Sequence, residues 1–197
     1  MSDLPFAGTY PADESYWVPP AEEQQYPPRY GDLFAVPKNL GLADSKGRPW
    51  VAVMATHPSC ELGAKGAPTG VQVVRVHRLR EVSARQRDEV RAGFMEVDGQ
   101  IRPARLDMFY LAPVAGVDGT NEEMYADLRA TARIDLDVLQ QAGRVAAMTH
   151  DARLALLRRD LAFRYRWHLP PGQILALERA RIGGDSTFEG PRPAWAA

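Results

Sequence analysis

From residue 30 onward the chain alternates short apolar runs with polar stretches that carry glycine and proline, a pattern that predicts strands more than helices. The first run, Leu33-Phe34-Ala35-Val36, follows Tyr30-Gly31-Asp32 and predicts a strand, and a polar loop over 37–49 comes next. The run Trp50 to Ala55 is rich in β-formers and bounded by Pro49 and Pro58, which predicts a buried strand over 50–56. A glycine-rich loop over 63–70 leads to a third strand over 71–79. There Val71, Val73, Val74 and Val76 supply apolar positions, and Gln72, Arg75, His77 and Arg78 supply polar ones. This reads as a half-buried strand with Arg75, His77 and Arg78 on its outer face. Ser83 and Gln86 then stand at capping-box spacing ahead of Val90 and Phe94, predicting a helix over 83–94. Asp98-Gly99 between two apolar runs is a two-residue hairpin signal, and further strands are expected over 105–111 and 124–128.

Beyond residue 136 the period lengthens. Thr149 is placed to cap a helix running to about residue 167. Leu154, Leu157, Leu161 and Tyr165 fall on one stripe, and Arg153, Arg158, Arg159, Arg164 and Arg166 surround it as a solvated basic face. Pro170-Pro171-Gly172 stops this helix, a brief second helix is expected over 173–182, and the rest reads as a loose tail. Residues 1–29 carry six prolines, five acidic residues and few aliphatics, so they read as a flexible arm. The aromatics Tyr10, Tyr16, Trp17 and Tyr26, with Tyr30 at the arm's end, leave open a second reading, an arm that docks on a partner or on the chain itself. The expected organisation is an arm over 1–29, one domain over 30–169, and a short helix with a tail over 170–197. The expected fold class is α+β, a small β-barrel with an inserted helix and a C-terminal helix.

Composition alters this picture little. Hydrophobic residues make up 45% and charged residues 25%, so a core forms without staples. The formal net charge of −1 gives no global basic footprint for nucleic acid and leaves a local patch possible. One cysteine, Cys60, forms no intramolecular disulfide, in keeping with a reducing compartment. No apolar run approaches the ~18–20 residues of a membrane span, and a cytoplasmic protein without membrane contact is expected.

The order of these elements resembles a known family. Tyr30-Gly31-Asp32 before the first strand, Lys46-Gly47-Arg48-Pro49 before WVAVMAT, the strand VQVVRVHRL, and the late segment YADLRATARIDLDVLQQAGRVAAMTHDARLALLRRDLAFRY are similar to the MazF/PemK-like, SH3-like barrel. The likeness covers about residues 30–167, with an insertion near 82–105. It implies a toxin-like, metal-independent endoribonuclease, or an RNA-binding protein, that forms a homodimer. Arg48 matches the family's phosphate-handling arginine, and Arg129 follows the late strand. The family's threonine or serine has no secure counterpart, because HPSCE follows Thr56 and no threonine opens the strand over 71–79. Ser59-Cys60-Glu61-Leu62 is similar to a Ser-Cys-Asp-Leu motif in a related group.

Three chemistries compete at residues 57–61. Arg48 binds phosphate while His57, with Ser59 beside it, acts as general acid or base; or Cys60 is a nucleophile activated by His57 or His77; or His57 and Cys60 bind zinc, for which no second cysteine exists. Against all three stands the plain reading of a buried cysteine and a turn histidine. Arg75, Arg78 and Arg129 are the candidate nucleic-acid contacts, and no cofactor is invoked. The rival to RNA chemistry is a non-catalytic module that docks a protein partner through the barrel and residues 1–29.

Overall fold

The structure, a computed structural model, describes residues 16–18, 28–37, 40–44, 46–57, 69–97, 100–115 and 119–165. Nine strands are described: β1 (Trp17–Val18), β2 (Leu33–Ala35), β3 (Ala52–Ala55), β4 (Gly70–Arg78), β5 (Phe94–Val97), β6 (Gln100–Pro103), β7 (Met108–Leu111), β8 (Met124–Asp135) and β9 (Arg144–Met148). Helix α1 (Ala84–Ala92) lies between β4 and β5, α2 (Leu136–Ala142) between β8 and β9, and α3 (His150–Tyr165) follows β9. Seven strands form one antiparallel sheet in the order β1-β9-β2-β3-β4-β8-β7, and β5 and β6 form a separate hairpin. Among the described residues no helix is long and apolar enough to cross a membrane.

The α+β class stands, and the barrel is corrected to an open sheet. The edge strands β1 and β7 share no backbone ladder. β1 has two residues, and both are paired to β9, so side chains take over where a ladder would close the ring. The Tyr16 hydroxyl donates to the Tyr110 carbonyl at 2.7 Å, and Trp17 Nε1 donates to the Ala112 carbonyl at 3.1 Å. The Tyr16 and Tyr110 rings meet edge-on at 6.4 Å. Within the expected arm, residues 16–18 are thus docked on the chain's own sheet, the self-docking alternative. Residues 1–15 and 19–27, and the expected stop and second helix over 170–182, lie outside the described residues.

The sheet is covered on both sides, so β4 is not half-buried. Val74 and Val76 pack with Leu33, Ala52 and Met54 in the larger core, while Val71 and Val73 pack with Phe34, Val53, Ile134 and Leu139 in a smaller one that α2 contributes to. Alternation marks a strand with one wet face, and here both faces are dry over most of the strand. Between Val74 and Arg75 the β8 register jumps from Thr131 to Asp127, a bulge that takes up Leu128, Arg129 and Ala130. It leaves Leu128 in the core and turns Arg129 out to 53% exposure.

Other expectations shift. Ser83 does cap α1 through a complete capping box, and Val97 pairs Gln100 across the expected hairpin. The strand expected over 105–111 begins at Met108, and that expected over 124–128 continues to Asp135. β9 was not foreseen. On α3 the leucine stripe is not the inner face: Ala152, Ala155, Leu156, Arg159 and Asp160 are buried, while Leu157 is 36% exposed and Leu154 and Leu161 are half-buried. Small residues let the helix approach β9 closely, and the two charged ones are satisfied inside. Arg159 donates to the carbonyls of Arg105 and Gly93, and the Tyr30 hydroxyl donates to Asp160 Oδ2 at 2.9 Å. The expected solvated basic face therefore includes one buried arginine that ties α3 to the chain beneath it.

Candidate functional site

Arg75 and His77 are two apart on β4 and so share a face. Their ladder partners on β8 are Asp127 and Tyr125. Cross-strand pairing makes these four one cluster. Arg75 Nη2 donates to Asp127 Oδ2 at 2.8 Å, and the His77 and Tyr125 rings stack at 5.4 Å. The Arg75 guanidinium also lies 6.0 Å from the centre of the Trp50 ring, within cation–π range. Arg129, turned out by the β8 bulge, donates to Asp127 and pairs with Asp107 at 3.1 Å.

Arg48 enters from the loop before β3. That loop is closed by the Ala43–Pro49 bridge and by Asp44, whose carboxylate accepts the backbone N–H of Lys46 and of Arg48 and the Arg48 Nε–H at 2.7 Å. These bonds hold the Asp44 carboxyl down to about 2. Gly47, at φ +74°, makes the turn that brings the arginine back to Asp44. Arg48 stays half-exposed, with Nη1 3.8 Å from Glu81 Oε2. Glu81, in the 3-10 turn Leu79–Glu81 that follows β4, also places Oε2 3.4 Å from His77 Nδ1.

Burial, then the charges of Arg75 and Arg48, lower the His77 pKa, and Glu81 and Asp127 oppose them without reversing the direction. His77 is therefore neutral at pH 7. Nδ1 faces the Glu81 carboxylate at ion-pair range without a hydrogen bond between them. Among the described residues neither His77 nitrogen has a hydrogen-bond partner, nor do Trp50 Nε1 and Arg75 Nε. Burial raises the Tyr125 phenol, aided by Asp127. Burial also pushes the Asp127 carboxyl up, but the guanidiniums of Arg129 and Arg75 outweigh it and hold the group below its usual range. The arginines are thus pre-positioned by carboxylates. They make a structured, nearly balanced surface rather than a basic patch.

Of the residues nominated from sequence, Arg48, Arg75 and Arg129 gather around the His77–Tyr125 pair. Arg78 has the opposite parity on β4 and leaves that face. It pairs with Glu122 at 3.1 Å and reaches Glu81 Oε1 at 3.8 Å. His57 follows the far end of β3, where Thr56 N–H bonds to Gln72, so a strand rising about 3.3 Å per residue separates it from Arg48. Ser59 and Cys60 lie outside the described residues. Trp50, Glu81, Tyr125 and Asp127 were not nominated. The signal available for them was the i, i+4 spacing of His77 and Glu81, but their gathering depends on the β4–β8 register. Among the described residues no group of three or more His, Cys, Asp or Glu is placed to hold a metal. No protein-family model matches the chain, and none of the curated protein sequences does either.

Proposed function

We propose that the chain is a MazF/PemK-like RNA-binding protein whose phosphate-recognising surface is formed by Arg48, Arg75 and Arg129, with metal-independent cleavage of the bound RNA as its toxin-like extension. One observation carries the reading: three arginines from three separate stretches converge on one sheet face around a buried histidine and tyrosine. Guanidiniums held by carboxylates present fixed N–H groups to a phosphodiester, and Trp50 and Tyr125 add flat surfaces beside them. The curled sheet, its edges joined by Tyr16 and Trp17, supports kinship with the small barrel in an opened form. For cleavage the neutral His77 is the base in reach of these cations, in place of His57.

The test is fluorescence anisotropy of the purified chain with a labelled single-stranded RNA across a salt series, with product analysis in the presence of a chelator. Arg48→Ala is expected to weaken binding about tenfold and to reduce the salt slope by about one. Binding that ignores salt, or that survives Arg48→Ala and Arg75→Ala unchanged, would sink the reading. The second reading, a non-catalytic docking module or homodimer, is favoured by the row of Leu154, Leu157 and Leu161 that α3 turns away from the core.

A further inference from the structure

We propose that Glu81 is the positioning residue of this site, holding Arg48, Arg78 and His77 on one carboxylate and so governing how freely the arginines meet a phosphate. The inference rests on the phosphate-binding reading and names what regulates that surface. Oε2 lies 3.4 Å from His77 Nδ1 and 3.8 Å from Arg48 Nη1, and Oε1 lies 3.8 Å from Arg78 Nη1. Three cations or potential cations, from the loop before β3, the body of β4 and the end of β4, thus meet one acidic side chain. Asp127, the carboxylate of Arg75 and Arg129, is 3% exposed, whereas Glu81 is 23% exposed and so reachable from solvent. A phosphate reaching Arg48 displaces Glu81 from it, so this carboxylate opposes the ligand as long as its charge is uncompensated.

His77 makes that opposition depend on pH. The charged and titratable groups that face it are Arg75 on its own strand, Tyr125 and Asp127 on β8, Glu81 in the following turn, and Arg48 from the loop before β3. While the imidazole is neutral, Glu81 spends its charge on the two arginines. When His77 takes up a proton, the imidazolium becomes the nearest cation to Oε2, and the charge around Arg48 rises by one. Arg48 keeps Asp44 at 2.7 Å and Arg78 keeps Glu122 at 3.1 Å, so the gain for a phosphate at Arg48 comes from the added charge rather than from a freed guanidinium. Burial, Arg75 and Arg48 keep His77 neutral near pH 7, so this gain comes on acidification below the ordinary histidine value of about 6.5.

The experiment measures RNA affinity of the full chain by anisotropy, and the His77 imidazole titration by NMR, for the wild type, Glu81→Gln and Glu81→Asp. Wild type is expected to bind roughly threefold tighter below the His77 midpoint read by NMR than at about pH 7.5. Glu81→Gln should already bind roughly threefold tighter than wild type at the higher pH and gain less on acidification, while Glu81→Asp stays near wild type. The His77 midpoint should fall in Glu81→Gln, because the carboxylate that favours the imidazolium is gone. An unchanged midpoint, or a Glu81→Gln affinity no better than wild type at the higher pH, overturns the proposal. If wild type binds no RNA at either pH, the phosphate-binding reading fails instead, and the midpoint still decides whether Glu81 holds His77.

Discussion

Asp32 shows how a short sequence signature acquires a physical cause. Its carboxylate is fully buried and accepts the Arg29 N–H at 2.9 Å, with Arg144 Nε at 3.2 Å and Arg153 Nη2 at 3.5 Å, so it joins β9 and α3 to the start of β2. Gly31 beside it sits at φ +86°, with Met148 Sδ 3.0 Å from where a Cβ would stand. The Gly-Asp pair is therefore required by packing, whatever the site does. Asp32→Asn leaves two guanidiniums facing a neutral amide and is expected to cost about 3 kcal/mol, read as a lower denaturant midpoint at unchanged m value. Sequence could nominate Arg48, because a Gly-Arg-Pro loop before an apolar run is a local feature. It could not rank His77 above His57, since the two differ in burial and neighbours, and those come from strands distant in the chain.

At the scale of elements, success followed locality. The α1 start was legible because a capping box is written within four residues. There Gln86 N–H donates to Ser83 Oγ at 3.3 Å, and Gln86 Oε1 accepts the Ser83 N–H at 3.2 Å. Ser83→Ala is expected to lower stability by about 1 kcal/mol, measurable by urea denaturation. The β5–β6 hairpin was legible for the same reason. β9 was not: Arg-Val-Ala-Ala-Met has little β-branched content, and it is a strand because β1 and β2 pair with it. On α3 a hydrophobicity count chose the leucines, while the inner face is Ala152, Ala155, Leu156, Arg159 and Asp160. The balance there was decided by how closely a helix can approach a sheet and by which buried charges find partners.

Across the described residues, the two edges of the seven-stranded sheet are joined by the side chains of residues 16 and 17. Tyr16→Phe removes the donor to the Tyr110 carbonyl, and the expected loss is about 1 kcal/mol, or roughly 2–4 °C in Tm for a chain of this size. A Tm equal to that of the wild type in a thermal scan would show that the hydroxyl does not hold the edges. β7 and β8 belong to the sheet that carries the site independently of those edge contacts, since β8 pairs β4 on one side and β7 on the other. By itself the sequence determined the α+β class, the strands β2, β3 and β4, the capped helix α1, the hairpin, and the arginines worth testing, because each is encoded by neighbours a few residues apart. Only the tertiary structure decided that the sheet stays open, which face of α3 turns inward, and that Arg48, Arg75 and Arg129 meet around His77 rather than His57. Those outcomes depend on register and on contacts between residues dozens of positions apart, for which a local pattern carries no information.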